Sequence, residues 1–558
     1  MADFPKGMIP TWDLESIHWT IPIAIGFFDG YSYRDFIKQD EEDDLVWRFL
    51  CFLRDHYPGI KLYAHYASKY DNKFILASLC KHNEVVKLEA GYLRLRWADP
   101  NIVFEDSYSI VPMPLERMNK MFGVEEKRSW KHEKTVVPWK MKEELSTFRE
   151  YLRTDCISLS HSLYKLCEVL GTNFGQMPSI SLATTAAKVF DKCFHPVDAI
   201  EPNEEFETFI RKAIYGARNE VYKRYGENIN MYDIHWMHTS CYDVPIPIGR
   251  LRWIKPNIDK GTLAEATVKV PKDKYIGPLP HRIRRLLYFP VGEFTDWWDM
   301  RELRKAVELG ADLTIRRQLY CEEEPILESF GRFIGNLRTD GKKDFWKLFG
   351  LALSGKFGQG RWRDSIQHIS RIKDLRGYTP FDEWENYFTT KVYLGRRAPY
   401  IRPLVAMRIR AEARIRHLDL LLKALKEGEI FYGDTDSAYT TASLPTGNNV
   451  GDLVHIGKAD RGYFIRQKLY AIVQKGRLYQ KSAGYSDLKL SEEDFKALLA
   501  HRDIEVDSIY LPSYKKTLNE KEVKLLECGN RVLKGDIGNN RKPVGYDSEP
   551  LLLPLDHP

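Results

Sequence analysis

Residues 432–437 read YGDTDS, with GEIF (428–431) before them and AYTT (438–441) after. Both flanks have the length and composition of short strands, and the glycine and aspartates have the composition of a hairpin tip. In an extended chain, a two-residue step puts Asp434 and Asp436 on one face. Carboxylates that close repel, and one is protonated unless a cation lies between them. A lone D-x-D is equally the composition of a solvated acidic turn. As half of a divalent-metal site it needs a third carboxylate from elsewhere in the chain.

The chain has 558 residues, enough for two or more domains, and its 43% hydrophobic and 13% aromatic content supplies packed cores. Net charge is +6, from 84 basic and 78 acidic residues. That balance permits a polyanionic partner only if the basic groups concentrate on one surface and the carboxylates in pockets. Eight cysteines are scattered with no C-x-x-C pair. Neither a zinc ribbon nor a disulfide framework is expected, and a reducing host-cell (cytoplasmic) interior fits. The N-terminus lacks a signal-peptide core, and no apolar run has the length of a membrane span.

In the first third, TWDLESIHWTIPIAIGFF (11–28) reads as strand, turn, strand, with Asp13 and Glu15 on one face. Leu45, Val46, Phe49, Leu50 and Leu53 sit at helical spacing and YPG (57–59) ends that helix. KLYAHYASKYDNKFILASL (61–79) is a strand leading into a helix, with Asp71 at the junction. A later helix carries Tyr151 and Asp155 at i and i+4. Taken singly, each acid reads as a surface charge. Together they resemble the three exonuclease motifs of DNA-polymerase proofreading domains. FEDSYSIVPMPLERMNKMFGVEEK (104–127) resembles the stretch between those motifs in family B polymerases. The resemblance implies an RNase-H-like sheet flanked by helices. It also implies that Asp13, Glu15, Asp71 and Asp155 hold two divalent ions and that Tyr151 helps place the attacking water. Hard oxygen donors suit Mg²⁺ or Mn²⁺. The family often has Asn after the His of the second motif; here Tyr66 follows His65, and either stacks on a base of the primer end or packs internally.

NINMYDIHWMHTSCYDVPIP (228–247) supplies the third carboxylate, Asp233, at the end of a strand. With YGDTDS downstream it resembles the palm motifs of family B DNA polymerases. Asp233 and Asp436 then stand at the two metal aspartates, and Asp434 is the supporting acid. IYGARNE (214–220) resembles the linker between exonuclease and polymerase. FWKLFGLALSGKFGQGRW (345–362) resembles the fingers motif. Lys468-Leu469-Tyr470 resembles the K-x-Y element near the primer, and Lys481 with Gly484 the K-x-A-G element. Lys343 and Lys347 share a helix face that can meet phosphate oxygens, although a solvated basic face fits Lys343 as well. Lys481 is expected at the primer terminus or the template backbone. The nucleotide pocket departs from the family. His238 replaces the tyrosine that excludes a ribose 2′-OH, and Leu351, Ala352 and Ser354 replace Asn, Ser and Tyr of the fingers motif. Altered sugar selection and a repacked pocket in which His238 does the tyrosine's work are both open.

The short length and the PLP…FPVG…W…EL pattern within 268–313 resemble the protein-primed branch that replicates viral and linear-plasmid genomes. The expected fold is α/β (α+β). An RNase-H-like 3′–5′ exonuclease domain occupies about 1–180, and a right-hand polymerase domain about 181–558. Palm covers about 181–335 and 401–485, with a first insertion near 250–330; fingers and a second insertion cover about 336–400; thumb covers about 486–558. The tail GYDSEPLLLPLDHP (545–558) is expected to pack poorly. The resemblance implies a monomeric DNA-dependent DNA polymerase with two ions per active site. Its partners would be primer-template DNA, dNTPs and a terminal protein, with strand displacement conferred by the second insertion and no membrane. A primer-independent polymerase and a non-catalytic nucleic-acid-binding descendant are the alternatives.

Overall fold

A computed structural model describes residues 7–89, 93–124, 144–380, 386–394, 398–483, 488–510, 512, 527–535 and 540–554. Gly484, Arg396, Arg397 and the last four residues of the tail lie outside the described residues.

The N-terminal strands form as the alternation predicts. Thr11–Ile17 and Ile21–Phe28 pair antiparallel, with Asp13 opposite Gly26, and Tyr33–Ile37 adds outside them. The helix Leu45–His56 buries Leu45, Val46, Phe49, Leu50 and Leu53, the predicted stripe, and Gly59 follows with a φ of 81°. On its other side Thr11–Ile17 runs parallel to Lys61–Ala64, which runs parallel to Ile102–Asp106. The long helix Leu145–Phe174 crosses this sheet and brings Tyr151 and Asp155 over Thr11–Ile17.

A second sheet has seven strands in the order Arg477–Ser482, Leu469–Gln474, Leu453–Arg466, Tyr225–Ile234, Ser437–Thr440, Ile430–Asp434, Asn219–Val221. Beneath it lies the helix Pro403–Glu427. Proline at its first turn fits the start, where an N–H would have no partner in any case. Three arginines of that helix, and Arg402 just before it, bond to other parts of the protein. Arg408 meets Asp299 at 2.7 Å and Glu323 at 2.7 Å, and Arg414 meets both oxygens of Glu302 at 2.8 Å. Arg416 bonds Glu412 on its own helix and Asp243, and Arg402, just before the helix, meets the carbonyls of Ile200 and Val197. A five-stranded sheet is built from Arg252–Ile254, Asp312–Tyr320, Leu263–Val270 and Val291–Asp299, within the region expected as the first insertion, together with Leu552–Leu553.

Two features depart from the expected layout. Strands Trp362–His368 and Tyr387–Tyr393, read as part of the second insertion, extend the N-terminal sheet to ten strands through the pair Gln367–Lys87. Ile366 and Tyr387 are buried in the N-terminal core. The tail is packed rather than loose. Arg541–Val544 pairs with Asp547–Pro550, Ser548 is buried, and Leu552–Leu553 joins the insertion sheet parallel to Val291–Asp299. Asp547–Pro550 finds its partner next door, whereas Leu552–Leu553 finds its partner far back in the chain.

Candidate nucleotidyl-transfer and exonuclease sites

Strand pairing places the palm carboxylates together. Ser437 lies opposite Asp233, and the Ile234 N–H donates to the Asp436 carbonyl at 2.8 Å. The glycine of YGDTDS is not at the tip. Gly433 is in the strand, where a Cβ would stand 3.0 Å from Leu421 and 3.4 Å from His417 of the helix beneath. The tip is Thr435, in the left-handed region at φ 62°. That residue breaks the two-residue alternation, so the two aspartates take different partners. Asp436 faces Asp233. Asp434 is neutralised by Lys468, whose Nζ donates to its two oxygens at 3.0 and 2.8 Å, and it also accepts the Thr435 hydroxyl at 3.0 Å.

Asp233, Asp434, Asp436, Lys347, His238, Lys468, Tyr470 and Lys481 line one open cavity of about 380 Å³. Burial, with Asp233 and Asp434 beside it and Lys347 opposing, pushes the Asp436 carboxyl up to about 7. Burial also raises Asp233, against the pull of Lys347. Two half-buried carboxyls held this high form a donor set that a divalent cation would relieve. Burial, and then Arg410, pushes His238 down to about 4, so its imidazole is neutral at neutral pH. Tyr470 sits in an aromatic cluster with Tyr432, Tyr439 and Phe464.

Two predicted nucleotide contacts do not reach the cavity wall. Ser354 is buried and its hydroxyl donates to the Leu351 carbonyl at 2.9 Å on its own helix. Lys343 is exposed and acts at a distance, through its field on His235. Leu351, 39% exposed, lines the cavity in place of Ser354.

In the N-terminal domain, Asp13, Glu15 and Asp155 each offer an oxygen within 4.8 Å of the others. Asp71 lies outside that group of three, at the first turn of Asp71–Lys81. Its carboxyl is pushed up to about 8 by burial first and then by Asp106 and Glu15. Tyr151 has its phenol raised by burial and then by Glu15, Asp155 and Asp13, and it bonds Glu15. All five predicted residues therefore share one acidic neighbourhood. His65 is turned inward: its Nε2–H donates to the Met113 carbonyl at 2.9 Å, and Nδ1 meets the Ser107 hydroxyl at 3.0 Å. Tyr66 has a φ of 69°, is 42% exposed and lies edge-on to Tyr108.

The family model described as DNA polymerase type B, organellar and viral, matches residues 122–379. Over that stretch, a little under half of its length, the chain is similar to this family. Among curated relatives, probable DNA polymerases of Podospora anserina and Ascobolus immersus are each 23% identical. They cover 84% and 63% of this chain. The chain spans 46% and 35% of the length of those two relatives. Phi29 DNA polymerase in complex with primer-template DNA and incoming nucleotide superposes with a TM-score of 0.70 at 15% identity. That match covers 95% of this chain and all of the phi29 chain. The same polymerase with single-stranded DNA gives 0.66, over 88% and 93%. At this identity the likeness is one of fold.

Sequence reasoning missed His417. Fully buried in the helix Pro403–Glu427, it presents Nε2 to the Ser437 carbonyl at 2.9 Å. A carbonyl only accepts, so Nε2 carries the proton. Burial pushes the ring down to about 4, which keeps it neutral and matches that tautomer. In the sequence His417 is one polar residue among arginines, and nothing local marks it.

Proposed function

We propose that this chain is a DNA-dependent DNA polymerase with a 3′–5′ exonuclease that replicates a viral or mobile-element genome and starts from a protein primer. One observation carries the reading: Asp233 and Asp436, far apart in sequence, meet in a cavity that Lys347 also lines. The primer 3′-oxygen attacks the α-phosphorus of a dNTP, the α–β anhydride bond breaks, and pyrophosphate leaves. Asp233 and Asp436 fit two Mg²⁺ or Mn²⁺ ions; when bound, such a pair activates the entering oxygen and stabilises the leaving one. Lys347 neutralises triphosphate oxygens from the fingers side. His238 and Leu351 bound the space open to the sugar and base. Lys468, Tyr470 and Lys481 lie on the primer side, with Lys468 ordering Asp434. In the N-terminal site, Asp13, Glu15, Asp71 and Asp155 fit the ions of hydrolytic cleavage and Tyr151 orients water. Tyr66 offers a ring to the primer end. Protein priming rests on the resemblance of residues 268–313 to the protein-primed branch.

The decisive test is primer extension with Mg²⁺, with and without a candidate terminal protein. Extension by the wild type that disappears in Asp436→Ala supports the polymerase. A requirement for the terminal protein on blunt linear template supports priming, and initiation without any primer points to the self-starting alternative.

A further inference from the structure

Behind the Asp434–Asp436 turn lies a buried charge cluster with no part in the chemistry just described. The edge strand Asn219–Val221 pairs with Ile430–Asp434, placing Asn219 opposite Asp434 and Glu220 opposite Gly433. One residue earlier, the Arg218 carbonyl accepts the Thr435 N–H at 2.8 Å. Thr435 is the left-handed residue that separates Asp434 from Asp436, so the backbone of Arg218 holds the tip of the turn.

The Arg218 side chain is itself fixed. Nη1 donates to Glu220 Oε2 at 2.6 Å, Nη2 donates to the Gly277 carbonyl at 2.6 Å, and the guanidinium lies 3.6 Å from the Phe289 ring centre. The Tyr222 hydroxyl donates to the same Glu220 oxygen at 2.9 Å. The other oxygen, Oε1, faces Arg541 Nη1 at 3.7 Å, and both of these side chains are 0% exposed. Arg541 comes from the C-terminal hairpin. Its Nε donates to the Ser548 hydroxyl at 2.9 Å and its Nη2 to the Tyr275 carbonyl at 2.8 Å. Two guanidinium groups thus share one carboxylate out of water. Removing one member of such a cluster leaves the others poorly compensated and lets the backbone move.

We propose that Arg541 is a positioning residue for the polymerase site: acting through Glu220 and Arg218, it fixes the Thr435 turn and hence the separation of Asp436 from Asp233. The C-terminal hairpin is then part of the active-site scaffold. This rests on the polymerase reading above, because the effect is on the site that reading assigns to the two aspartates. Arg541 touches none of the reacting groups. Partners that hold ligands in place from behind typically govern metal affinity and turnover.

The test uses the full chain. Mn²⁺ binding is followed by electron paramagnetic resonance in an Asp13→Ala, Asp155→Ala background, so that only the palm site reports. Primer extension and single-strand degradation are measured with the exonuclease residues intact. Arg541→Met is expected to weaken Mn²⁺ binding about tenfold and lower kcat of extension about tenfold, with KM for dNTP and the exonuclease rate changing less than about twofold. Arg541→Lys restores most of both losses. Ser548→Ala, a milder change that frees Arg541 Nε, shifts Mn²⁺ affinity in the same direction and serves if Arg541→Met does not fold. Unchanged Mn²⁺ affinity in the folded variants overturns the proposal, and so does a parallel loss of extension and exonuclease rates. Mn²⁺ uptake that Asp436→Ala leaves intact refutes the polymerase reading itself, and this inference falls with it.

Discussion

At the scale of single residues, burial and charge decide what each carboxyl does. Asp434 and Asp436 differ by two positions and by almost everything in their surroundings: Lys468 compensates the first, while Asp233 crowds the second. The raised folded-state value of Asp436, about 7 against 3.8 unfolded, has a definite sign. The folded chain holds the extra proton, so stability from this group is complete below pH about 4 and is lost as pH rises through about 7. Metal-free protein is expected to lose thermal stability across that window, and Asp436→Asn to flatten the slope. Calorimetry from pH 4 to 8 in chelator, then with Mg²⁺, checks both; a slope identical in the variant would contradict it. His238 belongs to the same scale. Being neutral, in the proposed nucleotide site it would act on a ribose by shape and hydrogen bonding rather than by charge. His238→Tyr is expected to raise discrimination against ribonucleotides about tenfold or more if the shorter ring leaves room for a 2′-OH. Competing rNTP and dNTP incorporation measures this, and equal discrimination would show that histidine already fills the gate.

At the scale of elements, the helix Pro403–Glu427 supports the Asp434–Asp436 hairpin and is tied down by buried ion pairs. Arg408 is fully enclosed with Asp299, which is also 0% exposed. Arg408→Met would strand a buried carboxylate and is expected to cost about 3–5 kcal/mol in urea unfolding. Gly433 reports on the same packing. Its φ lies outside the left-handed region, so an alanine there meets only space, 3.0 Å from Leu421. Gly433→Ala is expected to cost about 1–3 kcal/mol through overpacking. A simultaneous Leu421→Ala should recover part of that loss.

At the scale of the whole molecule, the two proposed activities have separate acid clusters on separate sheets, but the N-terminal sheet is completed by strands from beyond residue 361. Asp155→Ala is expected to abolish degradation of single-stranded DNA and leave extension largely intact. The ten-stranded sheet argues against cutting the chain at residue 180. A fragment 181–558 would expose Ile366, Tyr387 and the free edge of Trp362–His368, all now covered by the N-terminal domain. Exposed apolar strand edges associate. The fragment is expected to aggregate, and sedimentation of fragment against full chain is the check.

The elements whose partners are close in sequence were legible from the start. The strand pair carrying Asp13 and Glu15, the apolar stripe of Leu45–His56 and the Tyr151–Asp155 helix face all follow from periodicity, which is a local property. The motifs YGDTDS and MYDIHW contain Asp436 and Asp233, the two acids that the structure brings into one cavity. Tertiary structure alone decided what long-range pairing controls. It separated Asp434 from Asp436, withdrew Ser354 from the pocket, and turned His65 inward. It placed His417 under the hairpin, seated Arg541 of the C-terminal hairpin beside Glu220, and joined Trp362–His368 to the N-terminal sheet. Except for Ser354, whose hydroxyl bonds Leu351 on its own helix, the deciding partner lies tens to hundreds of positions away. The free energy of burying a charge or completing a sheet edge depends on that partner, and composition near the residue carries no trace of it.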